Sequence, residues 1–181
     1  MLKKHEQDPS IALQAGSTQL KSLSAPTLSA KLDYLNKIVE QINLWNPSQL
    51  ERIIEELFVS NGYEKRANNR YDREGGDIDL VFAPYPKNSL MQQFYATSGS
   101  LDMQEIRVQA KKKIGKDTND LEGILQLAKM DGHETSINIL INTTTSFSDE
   151  AKEEAAKRSI LLINGIEFAG LLVKFGLDIF E

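Results

Sequence analysis

Asp77 and Asp79 sit two apart in the run Gly75-Gly76-Asp77-Ile78-Asp79-Leu80, and Gln109 and Lys111 sit two apart in Val108-Gln109-Ala110-Lys111. In a strand, residues at i and i+2 share a face. Glu51 falls in the first turns of a helix ahead of both runs. Two neighbouring strands and one helix can bring these groups together. The result is carboxylate and amide oxygens suited to a hard cation, with an ammonium beside them. Mg²⁺ takes few protein ligands and keeps several waters. It eases the ionisation of water and polarises a phosphodiester oxygen. Lys111 can then position the attacking water or offset the charge growing on the phosphate. Asp79 is the harder of the two acids to explain by packing, because a bare carboxylate between Ile78 and Leu80 loses hydration unless it is paired or holds a cation. Plainer readings exist for the others. Ser48-x-x-Glu51 fits a capping box, Asp77 after two glycines fits a turn, and Lys111 to Lys113 fit a solvated strand end.

These side chains need a framework, and the apolar pattern supplies one. Residues 1–26 are rich in Ser, Gln, Ala and Lys without periodicity, and read as a flexible polar leader or linker. Leu28, Leu32, Leu35, Val39 and Ile42 recur at helical spacing, so 27–45 forms an amphipathic helix. Asn46-Pro47 opens a second helix with the stripe Leu50, Ile53, Ile54, Leu57 and Phe58, closed by Asn61-Gly62. A short strand is expected over 63–67 and a turn over 68–76. In the strand over 77–83, Ile78, Leu80 and Phe82 face one way and Asp77, Asp79 and Val81 the other. A polar loop covers 84–101 and holds Tyr85, Phe94 and Tyr95. Then follow a strand over 103–112, a helix over 118–131, a strand over 136–142, a helix over 149–157 capped by Ser148, a strand over 160–163 and a last helix over 166–175. The order α–α–β–β–β–α–β–α–β–α implies an α/β fold, a mixed central sheet flanked by helices on both faces.

Composition removes several classes of function. The 181 residues contain no cysteine and two histidines, which excludes a disulfide scaffold, a thiolate metal site and a cysteine nucleophile, and argues against a two-histidine metal clamp. No apolar run approaches a bilayer span, and the start MLKKHEQDPS lacks an apolar signal core, so no membrane role and a cytoplasmic site of action are expected. The net charge of −5 gives no bulk pull towards nucleic acid. Its distribution is uneven, however. Lys65, Arg66, Arg70 and Arg73 cluster, as do Arg107, Lys111, Lys112, Lys113 and Lys116. His133 reads as an ordinary loop residue, and Trp45 as a packing group.

The ordered set of Asn46-Pro47-Ser48-Gln49-Leu50-Glu51, Asn61-Gly62-Tyr63, Gly75-Gly76-Asp77-Ile78-Asp79-Leu80 and Val108-Gln109-Ala110-Lys111 resembles the Mrr-like catalytic domain of the PD-(D/E)XK, restriction endonuclease-like nucleases. The last segment matches that family's Q-x-K variant, in which Gln replaces the usual second acid. Asn142 to Ser148, the Ala-rich helix after it and Leu161-Leu162-Ile163-Asn164-Gly165 resemble the family's closing strand–helix–strand–helix. The resemblance implies a restriction endonuclease-like catalytic domain over 46–181 and metal-dependent hydrolysis of phosphodiester bonds. Asp79 would be the central metal-binding acid, with Asp77 competing for the role. Gln109 would be a neutral metal ligand, Lys111 the catalytic lysine and Glu51 the helix-borne acid. Mg²⁺ would be the cofactor, with Mn²⁺ able to substitute. The implied partner is nucleic acid, DNA before RNA, and the implied setting is defence against foreign or modified DNA. Lys65, Arg66, Arg70, Arg73, Arg107, Lys112, Lys113 and Lys116 would form a nucleic-acid-binding rim. A homodimer is compatible with this reading. The alternatives are a toxin or effector nuclease domain, delivered out of its cell and held by an immunity protein, that acts on DNA or tRNA, and a non-catalytic nucleic-acid-binding relative.

Overall fold

The computed structural model describes residues 25–84, 105–112, 120–175 and 177. The expected leader up to residue 24, the aromatic loop with Tyr85, Phe94 and Tyr95, and two of the expected rim cations, Lys113 and Lys116, lie outside the described residues. The elements are α1 (Ala25–Leu44), α2 (Pro47–Ser60), β1 (Lys65–Tyr71), β2 (Asp77–Phe82), β3 (Glu105–Lys111), α3 (Asp120–Lys129), a 3-10 turn (His133–Thr135), β4 (Ser136–Asn142), α4 (Asp149–Lys157), β5 (Ile160–Ile163) and α5 (Gly165–Lys174).

The strands form one mixed sheet in the order β1-β2-β3-β4-β5. β1, β2 and β3 run antiparallel in turn, while β3, β4 and β5 run parallel. Parallel neighbours need a crossover, and α3 and α4 provide the two. Each face of the sheet carries its own apolar layer. On one, Leu80, Phe82, Ile106, Val108, Ile139 and Ile141 pack against α1, α2 and α5, with Phe58 stacked on Phe82 at 4.5 Å between ring centroids. On the other, Val81, Leu140 and Ile160 pack against Ile124 and Leu127 of α3 and Ala151 and Ala155 of α4. With both faces covered, β4 is buried along its whole length.

Local chemistry sets the helix ends. Asn46 caps α2: its side chain accepts from the Gln49 N–H at 2.9 Å, and the Gln49 side chain accepts from the Asn46 N–H at 2.9 Å. The capping box is therefore Asn46/Gln49, not Ser48/Glu51. Pro47 accounts for this, because a proline suits the first helical position and puts the cap one residue before it. Asn164 and Glu167 repeat the device on α5, and the Ser148 hydroxyl accepts from the Ala151 N–H at 3.1 Å on α4.

Two expectations about the strands are corrected. β1 does not stop at Ala67 but continues through Asn68, Asn69, Arg70 and Tyr71, paired with β2 as far as Tyr71 against Asp77. Asparagine is a poor strand residue, so the ladder to β2 has overridden local preference. Ile78 does not share a face with Leu80 and Phe82; it packs with Val81, Leu127 and Met130 on the α3 side. The alternation slips at Asp79, just before the point where pairing of β2 with β3 begins, at Leu80 against Val108.

Candidate active site

The slip has a chemical consequence. Beyond Leu80 and Val108 the backbone ladder between β2 and β3 stops, and the Ala110 N–H donates instead to Asp79 Oδ2 at 2.6 Å. The carboxylate thus takes the place of a strand carbonyl and is held in the opening between the two strands. Only 8% of Asp79 is exposed. Burial pushes its carboxyl up to about 7; Glu51 and Asp77 push the same way, and the Ala110 N–H and the Lys111 ammonium oppose them. Glu51, half-buried on α2, is raised as well, first by burial and then by the charge of Asp77. With its capping duty taken by Gln49, Glu51 turns its charge to the same cluster. Three carboxylates near one another in a partly desolvated place repel, and the charge of Asp77 adds to the proton affinity of both Glu51 and Asp79.

β3 contributes the other two groups. Gln109 is 1% exposed and its Nε2 donates to Asp77 Oδ2 at 3.4 Å. Gln109 Oε1 and Asp77 Oδ1 are buried with no hydrogen-bond partner among the described residues. Orphaned acceptors of this kind are uncommon and ask for a donor or a cation. Lys111 follows on the same strand face, its Nζ 3.9 Å from Glu122 Oε1. Its stem runs across α3 at Gly123. A Cβ at that position would stand 3.1 Å from Lys111 Cγ and 2.7 Å from Leu140 Cδ1, so glycine is what lets the helix lie over the lysine.

Five groups expected from the sequence therefore meet at one place: Asp77, Asp79, Gln109, Lys111 and Glu51. Among the described residues no three Asp, Glu or His side chains converge closely enough to hold a metal ion unaided. The donor set still fits a hard divalent cation. It has anionic oxygens that repel one another and an orphaned amide carbonyl, and Mg²⁺ completes its shell with water.

The basic rim is less uniform than its sequence clusters. Arg107 is a correction. Its side chain is 6% exposed and lies under the surface, with Nε 3.1 Å from Glu105 Oε2. Arg70 shares that carboxylate at 2.9 Å. Burial alone would raise Glu105, but hydrogen bonds from Arg70 and Arg107 outweigh it and hold its carboxyl below the usual range. Clustering along the chain groups Arg107 with the lysines that follow it, and the period-two alternation puts it on the polar face of β3. That face is covered by α3, so the guanidinium had to find a buried partner. Lys65 reaches Glu55 at 2.6 Å, and Lys112 donates to the Trp45 carbonyl. Arg66 and Arg73 are exposed. His133 Nε2 lies 2.7 Å from the Arg158 carbonyl, the ordinary loop contact expected of it. Missed by the sequence reading was Gly123, whose lack of a side chain matters only once α3 is seen to cross Lys111.

The family model Mrr_cat, described as a restriction endonuclease, matches residues 42–172, which span every element of this site. Among solved structures, the chain is similar to the MspJI restriction endonuclease in complex with a 27-mer oligonucleotide, at 18% identity and a TM-score of 0.40, over 96% of this chain and 35% of that one. The chain thus spans about a third of the length of that enzyme. No curated protein matches it.

Proposed function

The chain belongs to the restriction endonuclease family of Mrr-type catalytic domains, a family of restriction-type nucleases, and from that premise we propose that it hydrolyses phosphodiester bonds of DNA with the help of a divalent cation. The observation that carries the reading is the buried carboxylate Asp79, held by the Ala110 N–H in the opening between β2 and β3 with Gln109 and Lys111 beside it.

Nucleases of this kind generally use divalent metals. Asp79 and Gln109 Oε1 would hold the cation, with Asp77, hydrogen-bonded to Gln109, and Glu51 as the further acids of the cluster. When bound, it supplies Lewis-acid polarisation of the phosphate and eases the ionisation of water. The chain's own residues do the rest. Lys111 sets a positive charge where the phosphate gathers negative charge. The carboxylates give an incoming water hydrogen-bond acceptors and fix its direction of approach. The water oxygen bonds to phosphorus, the bond to one ester oxygen breaks, and that oxygen leaves with a proton. Asp79 and Lys111 lie on the neighbouring inner strands β2 and β3, where the ladder between the two ends.

Incubation of the purified protein with supercoiled plasmid, single-stranded DNA and tRNA, each with Mg²⁺, Mn²⁺ or EDTA, tests this. Plasmid cleavage with Mg²⁺ or Mn²⁺ and none with EDTA is expected. Cleavage of tRNA alone would replace the substrate. Binding without cleavage under every metal condition would overturn the hydrolytic reading in favour of a non-catalytic relative.

A further inference from the structure

Among the described residues β1 is an edge strand, and its composition is strange for one. It carries Asn68 and Asn69 in its middle, both exposed, and Tyr71 at its end, 67% exposed. Neither asparagine side chain nor the Tyr71 hydroxyl has a hydrogen-bond partner among the described residues. Asn68 and Arg70 pair with Leu80 and Ile78, which puts Asn69 beside Asp79 in the register, and Tyr71 pairs with Asp77. Adjacent strands lie about 4.8 Å apart. Asn69 and the exposed phenol of Tyr71 thus stand one strand-width from Asp79 and Asp77, with Asn68 beside Leu80.

The same strand is closed to pairing through its backbone. The register shifts between Lys65 and Ala67, and Asn69 sits at φ 47, in the left-handed region that few residues other than glycine and asparagine tolerate. Irregularities of this kind blunt an edge against another strand. What the edge offers a partner is its side chains. Of the four basic groups in 65–76, Lys65 is paired with Glu55 and Arg70 with Glu105, so Arg66 and Arg73 are the exposed guanidinium groups that a phosphate backbone could meet. The tip of the hairpin is pre-set: Asp72 Oδ1 accepts from the Glu74 and Gly76 N–H groups at 2.9 and 2.7 Å. A partner therefore meets a strand already ordered, which removes part of the entropy cost of binding.

We propose that β1 is the base-reading element of this chain, with Asn68 and Asn69 presenting their amides to base edges in a groove of duplex DNA and Tyr71 packing against the adjoining nucleotide. The proposal rests on the nucleic-acid reading above and adds to it which residues select the sequence. An asparagine amide offers a donor and an acceptor side by side, the pair that a base edge, adenine above all, can match. Arg66 and Arg73 would hold the flanking phosphates, which sets register and carries no sequence.

The test uses the full chain with Lys111→Ala, so that bound DNA survives, and selects from a pool of duplexes with a randomised core. The same selection is run with Asn68→Ala and Asn69→Gly added; glycine suits the left-handed backbone at 69, and an unchanged melting temperature shows that the fold is kept. Tyr71→Leu gives a third protein in which only the aromatic is lost. The parent should enrich a base preference at one or two positions, and removing both amides should flatten it by about 5- to 150-fold at each position read, the ratio that about one to three kcal/mol for one bidentate contact represents. Tyr71→Leu should weaken binding to all duplexes. An unchanged preference in the double variant overturns the proposal. So does a parent that binds DNA in a salt-dependent way with no base preference, an outcome that leaves the nuclease reading standing. So does self-association abolished by the β1 changes, which would make the edge a contact between copies. A β1-dependent preference in a protein whose Lys111 form cuts no plasmid would instead support the reading strand and sink the hydrolytic one.

Discussion

Removing the charge of Asp79 should make the metal-free protein more stable, and the gain should depend on pH. The folded-state carboxyl titrates at about 7 against an ordinary 3.8, first because it is buried and then because Glu51 and Asp77 face it. Between those values the folded protein holds a proton that the unfolded chain has released. Stability contributed at this position is therefore highest below about pH 4, falls as pH rises towards 7, and is flat above. A gap from 3.8 to about 7 corresponds to about 4 kcal/mol, an order-of-magnitude figure for the strain of the ionised form. Asp79→Asn keeps an oxygen for the Ala110 N–H and cannot ionise. In EDTA at pH 8 the variant should melt well above the wild type, by about 2–4 °C for each kcal/mol recovered. At pH 4 the two should nearly coincide. Mg²⁺ should raise the melting temperature of the wild type at pH 8 and leave the variant almost unmoved, because only a state that binds the ion gains from it. Thermal unfolding across pH 4–8, with and without Mg²⁺, reads all of this. A variant no more stable than the wild type at pH 8, or a difference that does not change with pH, refutes the reasoning.

Lys111→Ala should lower plasmid cleavage by about 10²–10³ with the fold retained by circular dichroism, the usual effect of removing one positioned charge-stabilising group; wild-type cleavage would remove the lysine from the chemistry. Gly123→Ala should lose about 1–3 kcal/mol of stability in a denaturant titration, because its Cβ presses on Leu140 Cδ1 and Lys111 Cγ, and it should lower kcat more than it raises KM, since the displaced group is the lysine. Gln109→Glu adds an anionic oxygen at the site, so half-maximal activity should come at an equal or lower Mg²⁺ concentration; a shift to higher concentration would place Gln109 away from the ion. Arg107→Met should cost about 1.5–3 kcal/mol through the lost hydrogen bond to Glu105, while the salt dependence of DNA binding stays as it was; a flattened slope would return Arg107 to the rim.

The framework was legible because both layers of apolar side chains are dense. The stripes of α2 and α3 and the continuous run of β4 leave few options, and the order of elements in the structure is the one expected from them. The members of the candidate site could be singled out, since polar residues at strand spacing inside apolar runs stand out. What escaped was anything decided by a neighbour in space. Pairing with β2 drew Asn68 to Tyr71 into a strand that their own preferences oppose. The end of the β2–β3 ladder moved Ile78 to the other face. The cover of α3 turned Arg107 from a surface cation into a buried one and gave Gly123 its purpose. Pro47 could have corrected the capping box from sequence alone, as it marks the first helical position and leaves Asn46 as the cap.

The divided sheet also bears on when the candidate site could be complete during synthesis. The hairpin of β1 and β2 is a local unit, able to form soon after its residues are joined. It holds Asp77 and Asp79 but no lysine that faces them. Lys111 and Gln109 lie on β3, and the Asp79–Ala110 hydrogen bond spans 31 residues of sequence. β3 in turn is flanked by β4 in parallel, which forms only after α3 has crossed over. Contacts this distant along the chain arrive late. A ribosome-bound or truncated chain that ends before β4 thus carries the acids without a firmly seated lysine. On the proposed reading, the site would be complete only once β3 is seated between β2 and β4.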